Sequence, residues 1–178
     1  MDRAQFASKI DHTLLKPVTT AVEISQLCAE ARTHGFYSVC VNPARVVQAV
    51  TELSGSGVET CAVVGFPLGA NTVRLKLLET EQALRDGARS IDIVMNVGLL
   101  KDGARQAVLS ELRQAQGLVG KDGTLKVIIE AALLTPEEKR TATALVMASG
   151  AAFIKTSTGT IPDGGAKVAD VQLMRAVA

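Results

Sequence analysis

Leu125-Lys126-Val127-Ile128-Ile129-Glu130 is a short, near-continuously apolar run with a lysine inside it. Runs of this kind form strands covered on both faces, as in a parallel sheet. A helix signature follows. Thr135-Pro136-Glu137-Glu138 supplies a capping threonine, a proline at the first helical position and acidic residues at the positive end of the helix dipole, and Gly150 is the stop. Ala152–Thr156 is then apolar again. Strand, helix and strand in this order make a parallel βαβ unit.

The same alternation extends toward the N-terminus. Strands are expected at Ile10–Leu14, Tyr37–Val41, Val58–Val64 and Ser90–Met95, in addition to Leu125–Glu130 and Ala152–Thr156. Thr20-Ala21-Val22-Glu23 has capping-box spacing and opens a helix that Gly35 ends. Asn42-Pro43 opens a helix to about Leu53, Asn71 or Thr72 opens one that Gly87 closes, and a last helix begins near Ala166. No linker or low-complexity break interrupts the pattern, so residues 1–178 are expected to form one domain.

Two architectures fit such a repeat, an open doubly wound sheet and a (β/α)8 barrel. The open sheet that binds dinucleotides carries G-x-G-x-x-G after its first strand, and this chain has none there. Gly55-Ser56-Gly57 ends in Thr60 where the third glycine belongs, and Gly165 stands where a P-loop requires lysine. A barrel places polar residues at the C-terminal ends of several strands. Asp11, Asn42, Asp92, Asn96, Lys126, Glu130 and Lys155 all fall on or just after a strand. The expected fold is therefore α/β, a TIM-type barrel with about six βα units present against the usual eight.

Composition narrows the function classes. Nineteen basic and eighteen acidic residues give a net charge of +1, and aromatic residues are 3%. Neither a basic patch nor stacking platforms for nucleic acid are indicated. No apolar run is long enough to span a bilayer and no leader pattern opens the chain, so a cytoplasmic location is expected. Cys28, Cys40 and Cys61 are odd in number and widely spaced, and His12 and His34 lack ligand spacing. Disulfides and a metal site are not expected, and the cysteines read as small buried hydrophobes.

Three apolar strands each carry one ionisable group: Asp92, Lys126 and Lys155. A lysine in such a strand snorkels out of its end, pairs with a carboxylate, or loses part of its water shell. The last case lowers its pKa and yields neutral amine, a nucleophile toward carbonyl carbon. Lys126 nearby would depress the pKa of Lys155 further, or else form a strand-edge ion pair. Asp92 reads equally as a proton shuttle and as an ion-pair partner. Asp11 and Thr13 could bind substrate hydroxyls, although capping a loop is the commoner role.

Ile10-Asp11-His12-Thr13-Leu14-Leu15-Lys16-Pro17, Cys40-Val41-Asn42-Pro43, Gly65-Phe66-Pro67-Leu68-Gly69, Asp92-Ile93-Val94-Met95-Asn96-Val97-Gly98, Lys126-Val127-Ile128-Ile129-Glu130 and Phe153-Ile154-Lys155-Thr156-Ser157-Thr158-Gly159 lie in order along the chain. Together they resemble the deoxyribose-phosphate aldolase family of class I aldolases. The resemblance implies a Schiff base at Lys155, proton transfer by Asp92 and tuning by Lys126, with Asp11, Thr13 and Cys40 on the substrate side. It implies reversible cleavage of 2-deoxy-D-ribose 5-phosphate to acetaldehyde and D-glyceraldehyde 3-phosphate, without metal or organic cofactor. The family also carries a lysine on a seventh strand, and glycine-rich phosphate loops after strands seven and eight, which do not occur in these residues; Ala131 replaces a common threonine. Alternatives are accordingly a catalytically impaired partial barrel, or a different Schiff-base aldolase. Exposed edges on strands one and six would favour a homo-oligomer.

Overall fold

The computed structural model describes residues 1–178. Six parallel strands lie in sequential order: β1 Asp11–Leu14, β2 Ser38–Val41, β3 Glu59–Val64, β4 Ser90–Val94, β5 Thr124–Ile128 and β6 Phe153–Lys155. Each expected strand is present, shortened by a residue or two. The largest shortening is at β6, which loses a residue at each end; β5 starts one residue earlier and ends two earlier, and Glu130 turns out of the sheet with φ 49° and ψ 64°.

Helices connect the strands: α1 Arg3–Ala7, α2 Ala21–His34, α3 Val46–Leu53, α4 Val73–Arg85, α5 Val97–Lys101, α6 Arg105–Val119, α7 Pro136–Ser149 and α8 Val168–Arg175. Capping boxes at Thr20/Glu23 and Thr135/Glu138 form as the sequence indicates. Gly35 and Gly150 end their helices in the left-handed conformation, which costs glycine little because it has no Cβ. Asn42 departs from expectation. Its side chain makes no cap; its amide Nδ2 donates instead to the Leu15 carbonyl at 3.2 Å. The chain passes through a 3-10 turn, Pro43–Arg45, before α3 begins.

Alternation along each strand sorts the residues into two layers. Val39, Val41, Ala62, Val64, Ile91, Ile93, Leu125 and Val127 join helix residues such as Ile24, Val46, Leu112 and Val146 in one core of 29 buried residues. That core lies between the sheet and its helices. The opposite face carries Cys40, Cys61 and Val63 as a separate small cluster, together with the ionisable side chains.

The sheet curls strongly. In a flat sheet β1 and β5, four strand spacings apart, would be separated by roughly 19 Å. Yet the Lys126 ammonium on β5 lies 2.9 Å from the Asp11 carboxylate on β1. Curling turns the inner face into a concave interior that gathers residues from all six strands. No helix is long and apolar enough to cross a membrane.

Candidate active site

The parallel register places Asp92 opposite Lys126, Cys40 opposite Cys61, and Asp11 opposite Ser38. With the sheet curled, four charged side chains meet inside. Lys155 Nζ donates to Asp92 Oδ2 and lies 3.6 Å from Asp11 Oδ2. Lys126 Nζ lies 2.9 Å from Asp11 Oδ2 and 3.5 Å from Asp92 Oδ1. Ser38 Oγ donates to the other Asp11 oxygen at 2.7 Å. Two ammonium groups and two carboxylates thus alternate, and the charges balance.

Cys61 Sγ donates to Asp92 Oδ1 at 3.2 Å, and Cys40 Sγ sits 3.9 Å from Asp92 Oδ2. Lys126 Nζ also lies 5.6 Å from the centroid of the Tyr37 ring, within reach of its π face. The members of the group differ in access. The Asp92 side chain is 1% exposed and that of Lys155 is 30% exposed. The Lys126 side chain is 5% exposed, so Lys155 is the amine of the two that a ligand can reach. A cavity of about 320 Å³ opens onto it, lined by Lys9, Asp11, Tyr37, Lys126, Phe153 and Ile154 among others. The cavity lies along the edges of β1 and β6, which are both unpaired in the sheet.

The electrostatics correct one expectation. Burial does pull the Lys155 ammonium toward neutrality, but the Asp92 carboxylate beside it, aided by Cys40 and Asp11, outweighs burial and raises its pKa. Lys126 behaves in the same way: burial opposes the charge, and its neighbours, among them Asp92 and Asp11, raise its pKa. Asp11 is held below the usual carboxylate range because Lys126, Ser38 and Lys155 together overcome the cost of burying it. Lys126 does not act as an uncompensated cation toward Lys155, since its charge is met by two carboxylates. An opposite charge within hydrogen-bonding distance has won over desolvation.

The structure brings Lys155, Asp92, Lys126, Asp11 and Cys40 together. Thr13, two residues along β1 from Asp11, is exposed, and its hydroxyl donates to the Asp11 carbonyl at 2.8 Å rather than to the charged group. Cys61 was not singled out by sequence. Its signal was the register, because it is the residue paired with Cys40 across β2 and β3. Cys40, Cys61 and Asp92 hold their ligand atoms within 4.8 Å of one another. They could offer a metal two soft ligands and one hard one, but both Asp92 oxygens are already engaged by ammonium groups.

The profile described as DeoC/LacD family aldolase matches residues 6–177. The chain belongs to this family of aldolases. A deoxyribose-phosphate aldolase of Macrococcus caseolyticus is 52% identical over 169 residues, which is 95% of this chain and 76% of the relative. Among solved structures, one from Coccidioides immitis, described as a candidate deoxyribose-phosphate aldolase, superposes with a TM-score of 0.95 at 38% identity, covering 99% of this chain and 69% of that one. The tetrameric deoxyribose phosphate aldolase of Aeropyrum pernix superposes with a TM-score of 0.80 at 31% identity, covering 89% and 67%. Aldolases are carbon–carbon lyases.

Proposed function

We propose that this chain is an aldolase that cleaves 2-deoxy-D-ribose 5-phosphate through a Schiff base at Lys155. The observation that carries the reading is the Lys155–Asp92 pair, a reachable amine hydrogen-bonded to a buried carboxylate inside the barrel. Asp92 takes a proton from the Lys155 ammonium. The free amine adds to the aldehyde carbon C1, and loss of water gives an iminium. A base removes the proton from the C3 hydroxyl, the C2–C3 bond breaks, and its electron pair flows into the iminium to give an enamine. D-Glyceraldehyde 3-phosphate departs. Protonation at C2 and hydrolysis then release acetaldehyde and regenerate Lys155. The iminium is the electron sink, so this route assigns no step to a metal or organic cofactor.

Asp92 is proposed as the proton carrier, and Lys126 as the group that fixes the Asp11 and Asp92 carboxylates. Asp11 and Cys40 border the carbonyl end of the substrate, and Thr13 is assigned to its hydroxyls. The whole of residues 1–178 is taken as one partial-barrel domain. The substrate is a charged, membrane-impermeant phosphosugar, which supports a cytoplasmic site of action. A homo-oligomer is proposed from the two free sheet edges, and the tetramer described for the Aeropyrum relative supports it.

A second reading, an aldolase of impaired turnover, is favoured by those same edges. Strands β6 and β1 are not paired with each other, and the cavity at Lys155 lies along both. The deciding assay follows release of glyceraldehyde 3-phosphate from 2-deoxyribose 5-phosphate, with Lys155→Leu as control. Release by the parent chain alone supports the aldolase. Equal release by both chains removes Lys155 from the mechanism, and none from either favours the impaired barrel.

A further inference from the structure

Strand β6 is a weak platform for a nucleophile. It is three residues long, lies at the sheet edge, and leaves Phe153 56% exposed. The segment after β5 secures it. The Ile129 N–H donates to the Lys155 carbonyl at 3.0 Å, and the Ala131 N–H donates to the Thr156 carbonyl at 2.7 Å. Glu130 stands between these two staples in the left-handed region, a conformation that residues with a Cβ rarely adopt. That turn carries its side chain across to the loop following Lys155. Glu130 Oε2 accepts from the Thr158 N–H at 3.1 Å and from the Thr158 hydroxyl. Its other oxygen, Oε1, is buried without a partner, and the residue as a whole is 3% exposed. Backbone strain and an unsatisfied buried acceptor are both unfavourable. Their coincidence at one strand end beside a reactive lysine marks a constraint that the surroundings enforce.

We infer that Glu130 is a positioning residue for the nucleophile: its carboxylate clamps Thr158, fixes the 156–158 loop, and so holds Lys155 in line with Asp92. The inference rests on the reading of Lys155 as the Schiff-base lysine. Glu130 touches no reacting atom and acts through the β6 end alone.

The test compares Glu130→Asn, Glu130→Gln and Thr158→Val with the parent chain. Asparagine tolerates the left-handed conformation but is too short to reach Thr158. Glutamine keeps the length and one acceptor. Each chain is treated with acetaldehyde and borohydride, and the initial rate of ethyl labelling at Lys155 is read by peptide mapping. Amide exchange over residues 153–160 and thermal denaturation are followed alongside. Glu130→Asn and Thr158→Val should slow labelling at least about tenfold, as expected when a reacting group is held off its line of attack. Exchange across 156–158 should rise, and Glu130→Gln should recover labelling to within about twofold of the parent. Labelling at the parent rate in Glu130→Asn and Thr158→Val would overturn the inference, even if both melted earlier, because that pattern is purely structural. If the parent chain itself gives no adduct at Lys155, the Schiff-base reading fails first and the positioning role falls with it. Thr158→Val keeps the test decisive should Glu130→Asn fail to fold.

Discussion

Two lysine–carboxylate pairs in this molecule reach opposite electrostatic ends. Inside the barrel, Lys155 faces Asp92 and Asp11, and its pKa is raised. Outside the barrel, between α4 and α6, Lys76 meets Glu111 at 2.7 Å with both side chains 0% exposed. There burial dominates: it lowers the pKa of Lys76 and raises that of Glu111 against their mutual attraction. Lys76 also donates to the Val94 carbonyl at 2.8 Å, and Glu111 Oε2 has no partner. The lysine pushed toward the neutral amine is thus the one no substrate can reach. The lysine that a ligand can reach is held toward the ammonium by the carboxylates beside it. Burial alone therefore does not single out a reactive lysine; on the proposed reading, access and a carboxylate in contact do.

The contrast is broken most sharply by removing each lysine. Lys155→Leu should abolish the acetaldehyde adduct and cleavage while the chain remains folded, which adduct mass and far-ultraviolet dichroism would check together. Lys76→Met should do the reverse. It leaves Glu111 buried and uncompensated, at a cost of about 3–5 kcal/mol in chemical denaturation. The double change Lys76→Met, Glu111→Leu should restore most of that loss, because a matched apolar pair removes both desolvation costs.

The pH dependence sharpens the comparison next. The Lys155 pKa stands above its ordinary value of 10.5, so the neutral fraction grows with pH throughout the neutral range. The rate of adduct formation should then rise about tenfold per unit between pH 7 and 9, with no plateau there. A plateau near pH 7 would mean a depressed pKa. Asp92→Asn removes the first charge that raises it, so the profile should shift to lower pH while cleavage slows. Least of all should follow from Arg85→Ala. Its bond to Glu81 is 2.9 Å long but largely exposed, and the denaturation midpoint should stay within replicate scatter.

Strand positions and the capped helices were legible in sequence because their signals are local: apolar runs, capping boxes at Thr20 and Thr135, and glycine stops. The barrel interior was legible in part, since each of Asp92, Lys126 and Lys155 is anomalous within its own strand. What was not legible depends on tertiary register. α5 and α6 drew no assignment, although Val108, Leu112, Ala115 and Val119 in α6 are all buried at helical spacing. Lys76 and Glu111 lie on exposed-looking amphipathic helices and become a buried pair only when α4 packs on α6. Desolvation of Lys155 was readable, but the carboxylate that overrides it arrives from another strand, two βα units earlier. Glu130 looked like one more strand residue, and only its backbone turn shows otherwise.

The central claim is that Lys155 is the reactive amine of this barrel. Borohydride trapping with acetaldehyde, read by intact mass and peptide mapping, tests it most directly. The account predicts a single ethyl adduct on Lys155, absent from Lys155→Leu, with Lys76 unlabelled in both chains. Scattered labelling of surface lysines, or an adduct that persists in Lys155→Leu, would contradict it.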